Sequence, residues 1–185
     1  MSASPPTTRL FDRHAWRRLC RDARGLAAIE FALIASFMAM AVLNVVDISV
    51  FLYDRLQVAN ATQMGVQAAW QTCDLNHLPV TTKCPAMSAA VTAAVQSTSL
   101  GTAVTLQSGY PSDAYYCVNT SGALQYVSDY ATPPDDCTVA GNSAVAPAEY
   151  VQIQTTFTYT PIFTGLSIVS ILPATITSSA WVRLH

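Results

Sequence analysis

Arg24-Gly25-Leu26-Ala27-Ala28-Ile29-Glu30-Phe31, followed by an uncharged apolar run to Val46, is the stretch from which the rest of this 185-residue chain is read. Leu26 to Val46 is 21 residues, enough as a helix to cross a bilayer core of about 30 Å. Glu30 is the discordant position. A carboxylate at that depth costs on the order of 3 kcal/mol or more unless it is paired, so the segment asks for a partner as well as for lipid.

On the N-terminal side, residues 1–24 carry Arg9, Arg13, Arg17, Arg18, Arg21 and Arg24 against Asp12 and Asp22, a net charge of +4, whereas the remaining chain sums to -6. Basic residues beside a single apolar span keep that side in the cytoplasm and send the other side across. Nucleic-acid binding is the competing use of an arginine cluster. The topological reading is preferred because the span begins right beside it. A cleaved secretory signal fits poorly, since the apolar run exceeds the usual length of roughly 7–15 residues and carries Glu30 near its start.

On the other side the helical pattern continues. Val46, Val50, Tyr53, Gln57, Ala61, Met64 and Ala68 recur every three or four residues and no proline intervenes before Pro79, which predicts one helix from about Leu26 to Gln71. Its outer half has a small-residue face (Ala59, Ala61, Gly65, Ala68, Ala69) suited to close packing. Pro85 to Gln96 predicts a second, short helix with proline in its first turn. From Thr102 onward β-branched and aromatic residues predict strands at Thr102–Leu106, Tyr115–Asn119 and Leu124–Ser128, the last two forming a hairpin around Ser121-Gly122. Ala131 to Pro147 reads as a polar loop. The strongest alternation follows, with Val151, Ile153, Thr155, Phe157 and Tyr159 expected to point inward, and a final strand spans Ala174–Leu184. Between them the apolar residues Phe163, Leu166, Ile168 and Ile171 form a connection that is either core or membrane-facing. The expected class is α+β, a long N-terminal helix packed on a small antiparallel sheet. The expected organisation is a basic cytoplasmic leader (1–25), a transmembrane helix (26–48) and an exported domain (49–185).

Cys73, Cys84, Cys117 and Cys137 lie beyond the span, and Cys20 before it. Four thiols in an oxidising compartment can pair in three ways. Pairing of sequence neighbours, Cys73 with Cys84 and Cys117 with Cys137, is expected because each closes a short polar loop. No Cys-x-x-Cys or Cys/His spacing suggests a metal site. His14, His77 and His185 are dispersed, no Gly-x-Ser-x-Gly or phosphate-cradling loop occurs, and Asp135-Asp136 beside Pro133-Pro134 reads as a solvated turn. Catalysis, metals and cofactors are not expected.

Gly25, followed by an apolar residue and by Glu30 at the fifth position of the new segment, resembles the processing site of type IV prepilins. The resemblance implies that an inner-membrane aspartyl prepilin peptidase cuts between Gly25 and Leu26 on the cytoplasmic face. The new α-amino group of Leu26 would lie one helical turn from Glu30, and such an amine can meet the glutamate of an adjacent subunit. An ion pair in lipid is far less costly than a lone charge.

The longer pattern is similar to the N-terminal part of TadE-like proteins, minor pseudopilins of the tight adherence (Flp) pilus system. It comprises Gly-Leu-Ala-Ala-Ile-Glu-Phe-Ala-Leu-Ile from Gly25, then Val46-Asp47, Leu52-Tyr53-Asp54-Arg55 and the alanine-rich stretch from Val58 to Ala69. The likeness covers residue 24 to about residue 70, with a weaker echo in Ser178–Arg183; residues 72–148 resemble no family. Glu30-Phe31 stands where the major Flp pilin has Glu-Tyr, which points to the minor class. The resemblance implies a pilin-like fold and assembly roles for Glu30, Phe31 and Asp47. It implies as partners the bacterial inner membrane, a prepilin peptidase, other pilins or pseudopilins and the pilus assembly platform, with no nucleic acid. For Asp47 an interfacial side chain facing water is an equal reading. The rivals from other classes are a signal-anchored sensor or binding module and a membrane-tethered enzyme.

Overall fold

The computed structural model describes residues 23–73 and 78–184. The leader up to residue 22 with His14 and Cys20, residues 74–77 with His77, and His185 lie outside the described residues.

Helix α1 runs unbroken from Ala23 to Thr72, about 75 Å at the usual helical rise. Its buried positions begin at Asp47 and continue through Phe51, Val58, Ala61, Thr62, Gly65, Val66 and Ala69. Spacings of three and four residues put them on one stripe. Before Asp47 the apolar side chains stand clear of the domain: Leu26, Phe31, Leu33 and Phe37 are all exposed. One helix therefore has a bare half and a packed half.

Two short helices follow, α2 (Val80–Lys83) and α3 (Ala86–Val95). Helix α3 buries Met87, Val91 and Val95, and packs along α1 where small residues let the two backbones approach. Gly65 marks the closest point. A β-carbon there would lie 2.9 Å from Val95 Cγ2, 3.5 Å from Val91 Cγ1 and 3.6 Å from Ile153 Cδ1. Valine is stiff at χ1 and cannot swing away. Gly65→Ala is therefore expected to destabilise the domain by about 1–2 kcal/mol despite the higher helix propensity of alanine. Thermal unfolding of the variant checks this.

The sheet has five strands: β1 (Thr105–Leu106), β2 (Ser112–Val118), β3 (Leu124–Ser128), β4 (Ala148–Thr158) and β5 (Thr175–Arg183). All pairings are antiparallel. Strand β4 is the hub. One edge pairs with β2 near its start (Tyr115 opposite Glu149) and with β1 near its end (Thr105 opposite Thr156). The other edge pairs with β5 from Tyr150–Arg183 to Thr158–Thr175. Alternation sets the two faces. Val151, Ile153 and Thr155 are buried beneath the helices, as the pattern predicts, and Tyr159 beyond the strand end is buried with them. The opposite face carries Tyr116 in edge-to-face contact with Tyr126 and Tyr150. Where α1 crosses β4, the buried hydroxyls of Thr62 and Thr155 lie 2.7 Å apart, and that of Thr62 also lies 2.8 Å from the Val58 carbonyl oxygen, to which it donates. The architecture is α+β.

Both disulfides join sequence neighbours. Cys73–Cys84 ties the end of α1 to the turn before α3, with a Cα separation of 6.0 Å. Cys117–Cys137 ties β2 to the polar loop at 5.6 Å, where with Ala140 it forms a small second core. A loop closed over some 10–20 residues removes about 3 kcal/mol of unfolded-chain entropy in the loop-closure picture.

Two local expectations are adjusted, and the solvated Asp135-Asp136 turn is found as read. The Thr102–Leu106 strand contracts to Thr105–Leu106 because Gly101–Ala103 forms a 3-10 turn, with Gly101 at φ 54°. Helix α2 is too short to leave a periodic signal, but the amide and hydroxyl of its Thr81 both donate to Asp113, at 3.3 and 2.8 Å. Asp136, in the turn after Pro134, accepts from the amide and hydroxyl of Thr138; those two bonds hold its carboxyl below the ordinary range.

Candidate functional site

The segment Gly25–Phe31 occupies the bare start of α1. A β-carbon added at Gly25 would meet nothing within 4 Å, the reverse of the crowding at Gly65. Relative to alanine, Gly25 costs the helix about 1 kcal/mol, and no packing among the described residues requires it. Leu26 and Phe31 are 63% and 73% exposed. Glu30 lies one turn after Leu26 on the same helical face.

Polar side chains between Leu26 and Asn44 number three: Glu30, Ser36 and Asn44. The Ser36 hydroxyl donates to the Leu33 carbonyl at 2.9 Å, and the Asn44 amide donates to the Met40 carbonyl at 2.8 Å. Both return to the helix that carries them, the arrangement a lipid surround demands. Glu30 is exposed and has no partner among the described residues. It is the group in this stretch that needs one from outside.

At the other end of the apolar run, Asp47 is fully buried. Its Oδ1 accepts from the Ile162 amide at 3.0 Å and its Oδ2 from the Phe163 amide at 3.4 Å. Its backbone carbonyl accepts from the Tyr159 hydroxyl at 3.2 Å. Burial, and then the charges of Asp47 and Asp54, push the Tyr159 phenol up, so it remains a donor at neutral pH. One turn earlier, Asn44 Oδ1 accepts from the Ile168 amide at 2.8 Å and its Nδ2 donates to the Leu166 carbonyl at 3.3 Å. Asp47 therefore does not face water. With Asn44 it clips the loop between β4 and β5 to α1.

A second buried acid lies at the far end of β4. Glu149 is 1% exposed, and neither carboxylate oxygen has a hydrogen-bond partner among the described residues. Tyr115 stands opposite on β2 and stacks on Tyr130 at 5.9 Å. Burial, reinforced by the charge of Asp113, pushes the Glu149 carboxyl up to about 7. Extending the inward set Val151, Ile153, Thr155 back by one step includes Glu149, so a signal existed. The roles of Asn44 and Tyr159 left none.

Residues 25–67 match the family model described as TadE-like protein. The match begins at Gly25, takes in Glu30 and Asp47, and ends in the packed half of α1. The matched residues all lie in α1. No curated protein and no solved structure gives a significant match.

Proposed function

We propose that this chain, TadE-like over residues 25–67, is a non-catalytic minor pseudopilin of the tight adherence (Flp) pilus system. In this reading residues 26–48 span the bacterial inner membrane, the basic leader 1–25 stays in the cytoplasm, and residues 49–185 form a periplasmic domain. A prepilin peptidase removes the leader after Gly25.

The carrying observation is that, among the described residues of the bare helix, Gly25 and Glu30 are called for neither by packing nor by a lipid surround. A glycine without packing neighbours weakens the helix locally, which suits a bond that must enter a peptidase site extended. Cleavage creates a cationic amine on Leu26. Across a subunit boundary that amine neutralises Glu30, and Phe31 beside it supplies apolar contact. Asp47 contributes by holding the domain at the outer end of the span. Further partners are other pilins or pseudopilins and the assembly platform.

Co-expression with the peptidase tests the proposal. The wild type is expected to shorten and to show Leu26 as its new N-terminus, while Gly25→Val keeps the full length. Glu30→Ala is expected to remain membrane-inserted and to reduce pilus assembly. Normal shortening of Gly25→Val would sink the processing step; a chain that never exposes Leu26 would be a signal-anchored module instead.

A further inference from the structure

The loop between β4 and β5 has a construction that the pseudopilin reading leaves unused. Its base is closed by the Tyr159 amide donating to the Ala174 carbonyl at 2.7 Å. Val169 and Ser167 are buried at 3% and 6%, and the Ser167 hydroxyl accepts from the Val169 amide at 3.2 Å, capping the 3-10 turn Ile168–Ile171. Asp47 and Asn44 fix it to α1 at four further points. The backbone is thus held in place while its large apolar side chains are left outside. Ile162, Leu166, Ile168, Ile171 and Leu172 are 57%, 54%, 54%, 83% and 41% exposed. A cluster of that kind on a fixed scaffold is an interaction surface rather than scattered surface apolarity.

Its position identifies the occupant. The hydrogen bonds to Asn44 bring Leu166 and Ile168 alongside the last turns of the apolar run, where Met40, one turn before Asn44 on the same face, is itself exposed. Apolar surface therefore continues from the span onto the loop. No charged residue occurs between Glu149 and Arg183. Along α1 the first charged side chains beyond Asp47 are Asp54 and Arg55, about 10 Å farther from the span. Glu149 sits at the opposite end of β4, roughly 30 Å from the loop.

We propose that residues 160–173 form a membrane-seated foot: the loop inserts Leu166, Ile168 and Ile171 into the lipid surface that α1 leaves, and so fixes the tilt and rotation of the domain on the bilayer. This rests on the reading of residues 26–48 as a span. Uncharged apolar side chains at the end of a span bury at the boundary between headgroups and acyl chains, to a depth of about 5–10 Å for elements that lie in that plane. Lipid also has no need of polar partners from the loop, most of whose amides are bonded within the loop or to Asn44 and Asp47.

The test uses the full chain carrying Cys20→Ser in liposomes, with single cysteines at Ile171, at Val139 and at Leu33 labelled by an environment-sensitive fluorophore. Val139 is 71% exposed beside the second disulfide, and the four remaining cysteines are paired. The expected result is a blue-shifted signal at Ile171 that is quenched by lipids spin-labelled near the headgroup. Val139 should give neither effect, and Leu33 should be quenched by lipids labelled deep in the chain. If Ile171 behaves like Val139 while Leu33 is deep, the span stands and the foot is overturned. A blue shift at Ile171 without lipid quenching means that another protein copy covers the loop, which also overturns it. An aqueous Leu33 removes the span reading and the foot together.

Discussion

Glu149→Gln is expected to stabilise the protein at pH 8 by about 3 kcal/mol and to leave its stability at pH 4 unchanged. In the fold the Glu149 carboxyl is pushed up to about 7 from an ordinary 4.5, first by burial and then by Asp113. The folded state thus keeps a proton that the unfolded chain has already released. Stability is full below the unfolded value and falls as pH rises through the window from 4.5 to about 7; above it the curve is flat. At about 1.4 kcal/mol per pH unit the gap amounts to about 3 kcal/mol. Glutamine has the size of the protonated acid and cannot ionise, so the variant should lose the slope in that window. Unfolding of the full chain in detergent across pH 4–8 measures both curves. Equal slopes for wild type and variant would show that Glu149 is not buried as a neutral acid. Asp113→Asn, which removes the second cause, should narrow the window without abolishing it.

What could be read in the sequence was what repeats. Spacings of three and four residues gave α1, because no proline or glycine cluster breaks it, alternation gave β4 with its inward set, and the final strand was expected where β5 lies. Short polar loops between neighbouring cysteines gave both disulfides. Elements without a period were poorly marked: α2, with four residues, escaped, and β1, with two, was expected as a longer strand. Within the middle of the chain, 72–148, the family likeness offered nothing, yet Asp113 and Tyr115 there face Glu149, with Thr81 bonded to Asp113. Gly25 and Glu30 stood out by being discordant, and the fold leaves them unused. Asp47 was equally conspicuous, but its position in sequence could not reveal that amides 115 and 116 residues later would dock on it. A polar side chain at the end of an apolar run looks the same whether it turns to water or to a loop. Only the tertiary structure separates the two.

That distinction has a measurable consequence. Asp47→Ala is expected to lower stability by about 3 kcal/mol, because two backbone amides lose a charged acceptor, each such bond contributing about 1.5–3 kcal/mol. For a chain of this size that corresponds to a fall in Tm of roughly 6–12 °C, read from the sheet signal of the full chain in detergent. Asp47→Asn keeps one carbonyl oxygen for the Ile162 amide and turns an NH2 group toward Phe163, so its loss should be about half as large. If the chain acts in pilus assembly as proposed, the series also separates two roles for this acid there. If Asp47 acts by holding the loop, assembly should decline in step with stability across both variants. Asn44→Ala, which releases the same loop without removing a charge, should then fall on the same line. If Asp47 instead contacts a neighbouring subunit, Asp47→Asn should lose assembly out of proportion to its stability, and Asn44→Ala should keep it. The two Asp47 amide bonds, the Tyr159 contact and the two Asn44 bonds all converge on one loop. That convergence makes the first outcome the expected one.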